Sequence, residues 1–345
     1  MSVFYKKINQ LFIFALFFII ISNAVQANNI KNSAVIFMYH KFDISKYPST
    51  NITLDQFEKH LAEFSQPKYN VKSLDYIVDT IINDGKLPNN TIGISIDDAD
   101  RSFLDKGWPL LKKHGLPATL FVTTNTIVDG NKNYLNWSEI RKMKNEGLTI
   151  GAHSHNHGHL SEFSLEELKI EIEISNRLFL KELGEIPTLF AYPYGEVDEI
   201  MFELLNKYNF KAAFGQHSGI INETSNYYYL PRFSLNEKYG DIDRVKFAAN
   251  TKGLGVYDFI PTNPSLNENN NPPYIGFSLL DQRLANKIQC FIFDSDGQVE
   301  NEIYRFNERI EIRLKRKLNK GRSRMNCTVK DEQKNWRWFG HQFYL

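Results

Sequence analysis

The chain has 345 residues, 41 Lys and Arg against 40 Asp and Glu, and 42% apolar residues. These values exclude a disordered tail, a collagen-like fibre and a small disulfide framework, and the length suits one large domain or two ordinary ones. The formal net charge of +1 argues against a dedicated nucleic-acid binder, so no nucleic-acid partner is expected.

Lys6 and Lys7 precede the apolar run Leu11 to Ile21, which ends at Ser22-Asn23 and Ala24-Val25-Gln26-Ala27. A charged start, a short apolar stretch and a small-residue site predict a signal peptide over 1–27. The run falls short of the roughly 20 apolar residues of a membrane span; an uncleaved anchor is the alternative. Either reading exports the rest of the chain, to the periplasm or the exterior.

From Ser33, apolar runs alternate with amphipathic stretches. Strands are predicted at Ala34–Tyr39, Thr91–Ile96, Ala118–Val122, Leu148–Ala152, Thr188–Tyr192 and Lys211–Gly215. Helices are predicted at Leu54–Phe64, Leu74–Ile82, Phe103–His114, Trp137–Asn145, Leu165–Leu183 and Val197–Tyr208. This alternation means a parallel α/β sheet or barrel over residues 28–260.

Residues 261–273 (PTNPSLNENNNPP) then read as a linker, and 274–345 as a small β-sandwich with strands at Lys287–Phe293, Glu308–Leu314 and Trp336–Leu345. Asp296-Gly297 is a hairpin signal. The two cysteines, Cys290 and Cys327, are most simply one disulfide closing a loop of about 38 residues, with two buried thiols as the alternative. Lys315-Arg316-Lys317 is a solvated face or, on the sharper reading, a peripheral contact with an anionic cell envelope.

Four polar clusters follow apolar strands directly: Tyr39-His40, Asp97-Asp98, His153 to His159, and Pro193-Tyr194-Gly195. The C-terminal ends of parallel strands are where sites assemble. His153 and His157 are four apart, so one helical turn would put both imidazoles on one side. His155 and His159 share that spacing, so spacing alone leaves the pair open. Two imidazoles and a carboxylate with an open position make a hydrolytic zinc site. Adjacent Asp97 and Asp98 leave a strand in different directions, so one can ligate a cation while the other takes a proton. Helix capping by one of Asp97, Asp98 or Asp100 is the structural alternative.

Ser95-Ile96-Asp97-Asp98-Ala99 resembles the T-F-D-D-G motif of the polysaccharide deacetylases (NodB-homology, carbohydrate esterase family 4). His153 to Leu160 fits that family's H-[ST]-x-x-H-x-x-L motif. Phe190-Ala191-Tyr192-Pro193-Tyr194-Gly195 and Met38-Tyr39-His40 resemble elements of its poly-N-acetylglucosamine deacetylase branch.

The resemblance implies a distorted (β/α) barrel. It makes Asp98, His153 and His157 the metal ligands, Asp97 the general base and a cationic His40 the general acid, with His217 as rival. It gives the Tyr194 N–H to the oxyanion. Two departures stand out. The motif glycine is Ala99, tolerable if the turn avoids positive φ; the motif arginine is Ala191, leaving Arg232 to orient the base. Pro193, Tyr194 and Trp137 are candidate substrate contacts. The implied cofactor is a divalent metal, zinc above all, with nickel, cobalt or manganese as alternatives. The implied activity is N-deacetylation of an N-acetylhexosamine polymer such as poly-N-acetylglucosamine, peptidoglycan or chitin. A glycan binder on the same fold and a sugar O-acetyl esterase are the rival readings.

Overall fold

The computed structural model describes residues 30–345. The predicted signal segment lies outside them, and no helix among the described residues is long and apolar enough to cross a membrane.

The first half runs β1 (Ala34–Tyr39), β2 (Lys41–Phe42), β3 (Asn51–Ile52), α1 (Leu54–Phe64), β4 (Asn70–Val71), α2 (Leu74–Ile82), β5 (Thr91–Asp97), α3 (Trp108–His114), β6 (Thr119–Val122), α4 (Thr124–Val128), α5 (Trp137–Asn145), β7 (Thr149–Ala152), α6 (Leu165–Leu183), β8 (Leu189–Ala191), α7 (Ile200–Lys207), β9 (Ala212–Phe214), β10 (Phe233–Ser234) and α8 (Ile242–Ala249). Eight of these strands form one sheet in the order β10-β1-β5-β6-β7-β8-β9, with β4 beside β5. All its pairings are parallel. β1 and β5 are buried along their whole length, as strands covered on both faces must be. The sheet curls into the expected barrel.

Helix ends follow their local chemistry. Thr53, Asn136 and Ser164 close capping boxes, and Gly115 and Gly184 end helices in the left-handed conformation. The predicted helix from Phe103 splits, its first turn a π-helical Phe103–Gly107, with Pro109 opening α3. A proline lacks the N–H that a continuous ladder needs. The sequence reading missed β10, which closes the sheet beside β1 and carries Arg232 in at its start.

The second half runs β11 (Lys252–Gly253), β12 (Val256–Ile260), β13 (Ile275–Leu279), β14 (Gln289–Asp294), β15 (Gly297–Val299), β16 (Asn301–Phe306), β17 (Arg309–Leu314), β18 (Arg322–Lys330) and β19 (Trp336–Tyr344). Two sheets, β11-β19-β18-β14-β15 and β12-β13-β17-β16, bury one apolar cluster that includes Phe277, Ile292, Ile312, Met325 and Phe343. That is the expected β-sandwich. Its strands begin at Lys252, ahead of residues 261–273, which join two strands of the same sheet. Cys290 and Cys327 face each other across β14 and β18 and form the disulfide.

β19 reads in period two. Trp338, Gly340 and Gln342 face the barrel, where Trp338 packs on its core and a Cβ at Gly340 would collide with the Ser218 carbonyl. Phe339 and Phe343 fill the sandwich core. One strand therefore belongs to both halves.

Candidate active site

Asp97 ends β5, and Asp98 and Ala99 turn the chain away with φ of 78° and 58°. The condition set for a harmless Ala99, a turn without positive φ, is thus not met. The left-handed turn is held by the Leu135 N–H on the Ala99 carbonyl. Helix capping falls to Asp100, whose Oδ1 accepts from the Ser102 N–H and hydroxyl. Neither Asp97 nor Asp98 is spent on it.

Asp97 is fully buried and meets Arg232 in a two-pronged ion pair, Nη1 to Oδ1 at 2.7 Å and Nη2 to Oδ2 at 2.8 Å. Arg232 is itself fully buried, so the pair is not a surface salt bridge. Its Nε donates to the Gly215 carbonyl, and Phe121 and Phe214 lie against its guanidinium. Burial alone would raise the Asp97 carboxyl; Arg232, with His153 and His40, outweighs it and holds the group below the usual carboxylate range.

His153, His157 and Asp98 converge, each with one ligand atom within 4.8 Å of the others. Asp98 Oδ1 lies 3.4 Å from His153 Nε2 and 3.2 Å from His157 Nε2. His153 Nδ1 donates to the Ala191 carbonyl at 2.7 Å, which leaves the Nε2 lone pair aimed at Asp98. Two imidazoles and a carboxylate, one imidazole oriented by a backbone carbonyl, fit a divalent cation.

The predicted helical turn across the histidines is replaced by a loop. Ser154 and His157 are left-handed, at φ 61° and 57°. The Ser154 hydroxyl accepts from the His157 N–H. Buried Glu171 of α6 accepts from the His155 and Asn156 N–H groups, both at 2.9 Å. These local bonds replace the helical ladder. The alternative pair is engaged elsewhere: His155 with Thr124, and His159 with Glu196.

His40 Nε2 stands 4.0 Å from Asp97 Oδ2. Burial pulls its pKa down, only partly offset by Asp98 and Asp97, which favours the neutral imidazole over the cation expected of the acid. His217 packs against Tyr229 and His341, ring centroids 4.5 and 6.1 Å away, in a cavity of about 200 Å³ between barrel and sandwich. Burial, with His341 and Arg232, drives its pKa well below normal.

Tyr194 sits between buried Pro193 and Gly195 at φ 59°. Its ring stacks on His159 at 4.4 Å and meets the edge of His157 at 4.8 Å. Trp137 instead packs against Phe179 in the helix layer. Lys315, Arg316 and Lys317 each pair with a carboxylate, from Glu302, Asp294 and Glu268.

Glu171 and Glu196 were missed from sequence. For Glu171 a signal existed, since it shares the buried face of α6 with Leu168, Ile172 and Ser175. A carboxylate on an apolar stripe needs a polar partner.

Residues 84–213 match the family model described as polysaccharide deacetylase, a span that holds Asp97, Asp98, His153, His157 and Tyr194 but neither His40 nor Arg232. A poly-beta-1,6-N-acetyl-D-glucosamine N-deacetylase of Staphylococcus aureus is 25% identical over 228 residues, 62% of this chain and 76% of the relative. Among solved structures, the Streptococcus pyogenes deacetylase PplD superposes with a TM-score of 0.59 at 20% identity, over 64% of this chain and 99% of that one. IcaB from Ammonifex degensii does so at 0.56 and 20%, over 63% and 97%. The chain carries a domain of the polysaccharide deacetylase family.

Proposed function

We propose that the protein is an exported, metal-dependent N-deacetylase acting on an N-acetylhexosamine polymer, with the poly-β-1,6-N-acetylglucosamine named for its Staphylococcus aureus relative as first choice. The observation that carries this reading is the pairing of two arrangements. His153 Nε2 and Asp98 Oδ1 are buried without a hydrogen-bond partner among the described residues. Beside them is a carboxylate that Arg232 keeps ionised.

Asp98, His153 and His157 would hold the cation, with zinc as first choice for this donor set. A divalent cation there supplies Lewis acidity and makes water nucleophilic near neutral pH. Asp97 accepts the proton of the attacking water, both its oxygens held in place by Arg232. The Tyr194 N–H meets the negative charge developing on the acetyl oxygen. His40 enters neutral, takes up the proton released on Asp97's side and delivers it to the departing nitrogen. An amide needs this step because an amine anion is a very poor leaving group. Pro193 fixes the turn, and the Tyr194 ring offers a contact for the sugar. Export is supported by the Cys290–Cys327 disulfide, since such bonds persist in oxidising compartments.

The test incubates the protein with acetylated glucosamine oligomers and with O-acetyl xylan, with and without chelator, and measures acetate and free amine. Equal acetate and amine, abolished by chelator, is expected. Acetate without amine means an esterase, and neither product means a glycan binder. Asp97→Asn should keep the metal and lose about 10²–10⁴-fold in turnover. His153→Ala should lose both.

A further inference from the structure

We propose that the C-terminal β-sandwich is part of the active site. It would clamp the Pro193–Gly195 turn through Arg322 and Gln342, which makes these two, with Glu196, positioning residues for Tyr194. This rests on the deacetylase reading, in which Tyr194 serves the reacting carbonyl.

Tyr194 is held at φ 59°, a conformation that a non-glycine residue keeps only when its surroundings impose it. The restraints come from both sides of the domain boundary. The Gly195 carbonyl accepts two buried hydrogen bonds at 2.9 Å, from the Tyr229 hydroxyl of the barrel and from Gln342 Nε2 of β19. Arg322 of β18 donates from Nη1 to the Tyr194 carbonyl at 3.3 Å. Its Nε lies 3.6 Å from Oε1 of buried Glu196. The other Glu196 oxygen pairs with His159 Nδ1 at 2.6 Å, and the His159 ring lies flat on the Tyr194 phenol. Tyr344 reaches Glu162, just past His159, at 2.5 Å.

These contacts follow from strand register. Arg322 pairs directly with Tyr344, and Gln342 lies two residues before it. All three side chains therefore emerge on one face of the sheet, the face turned to the barrel. Strands β18 and β19 act as one rigid jaw, with the carbonyls of residues 194 and 195 in its grip. These carbonyls belong to the two peptide units that follow the Pro193–Tyr194 unit, so holding them fixes the C-terminal side of the turn and limits how far the Tyr194 N–H can swing.

The test uses the full chain as wild type, Arg322→Ala, Gln342→Ala and Arg322→Lys, with exposed Lys320→Ala as a control. Hydrogen exchange is read over residues 192–199. Steady-state kinetics are measured on a β-1,6-linked N-acetylglucosamine oligomer, and metal content and thermal midpoint are recorded. In Arg322→Ala and Gln342→Ala, exchange in the turn should quicken about tenfold. Their kcat should fall about tenfold with KM little changed, as expected for a misplaced group. Metal content should stay at the wild-type level. Arg322→Lys should recover most of both effects, and Lys320→Ala should change neither.

Unchanged exchange overturns the clamp, and so does faster exchange with wild-type kcat. Should Gln342→Ala not fold, half-exposed Arg322 carries the comparison alone. A wild type that releases no acetate sinks the deacetylase reading instead, and the exchange data then decide the clamp without it.

Discussion

Arg232 grips both carboxylate oxygens of Asp97, at 2.7 and 2.8 Å, from 135 residues further along the chain. The usual motif arginine is Ala191 here, and its backbone carbonyl orients His153 instead. Replacing Arg232 with Ala leaves a buried carboxylate without compensation. Stability should fall by about 3–5 kcal/mol in urea unfolding. Arg232→Lys keeps the charge but loses one of two parallel bonds, about 1–3 kcal/mol. Its kcat should drop at least about tenfold while the protein stays folded by circular dichroism. A fully active Arg232→Ala would exclude Arg232 as the support of the base.

Glu171 shapes the loop that presents His157. Its Oε2 accepts from two successive N–H groups and its Oε1 from the Asn156 amide at 2.6 Å. Glu171→Ala frees that loop while leaving every metal-ligand candidate in the sequence. Zinc affinity, measured by titration calorimetry, should weaken about 10–100-fold. Wild-type affinity would assign Glu171 to helix packing alone.

His60 makes folding sensitive to acid. Its Nε2–H donates to the Gly240 carbonyl at 2.8 Å, and its Nδ1 accepts from the Tyr39 hydroxyl at 3.1 Å. Burial lowers its pKa from 6.5 to about 4, against weaker opposing pulls from Gly240 and Asp241. Between those values the unfolded chain binds the proton and the folded chain does not. The stabilisation is complete above pH 6.5 and is lost as pH falls toward 4, about 3 kcal/mol if fully expressed. Buried His341, lowered to about 3, adds to the same trend. The thermal midpoint should decline across this window, and the decline should shrink in His60→Gln. A midpoint independent of pH from 7 to 4 would refute the assignment.

The Cys290–Cys327 bond spans 37 residues of sequence and ties two neighbouring strands of the sandwich. By loop length it contributes about 4 kcal/mol. Replacing both cysteines with serine should lower the denaturation midpoint of the sandwich by a corresponding amount. Because β19 also packs on the barrel, the loss should appear in turnover as well, read as residual activity after mild heating.

The barrel was legible because its signals are local. Fully apolar runs such as Ala34–Tyr39 mark buried parallel strands, and the Ser164–Glu167 capping box marks the start of α6. β16 and β18 were not read from sequence. In β16 the exposed positions hold Tyr304 and Phe306 and the inner ones Asn301 and Arg305, which blurs the pattern; in Arg322–Lys330 buried Ser323, Met325, Cys327 and Val329 alternate regularly with polar residues, a signal the reading passed over. The two-residue β10 carries too little pattern to register, although it sets Arg232 beside Asp97.

The sequence alone determined which chemistry this chain can assemble. Adjacent aspartates after a buried strand, a histidine cluster after another and a histidine after the first all sit at strand ends, where parallel sheets gather their sites. The tertiary structure decided which of those groups act together. Equal spacing made His153/His157 and His155/His159 equivalent on paper. A loop braced by Glu171, and partners at Thr124 and Glu196, separated them. It likewise gave Asp97 its arginine from a distant strand, and brought Gln342 and Arg322 against the Tyr194 turn. Spacing along a chain constrains only neighbours within a turn or a strand, whereas these contacts join residues from 16 to 147 positions apart through burial and hydrogen-bond satisfaction, which no local pattern encodes.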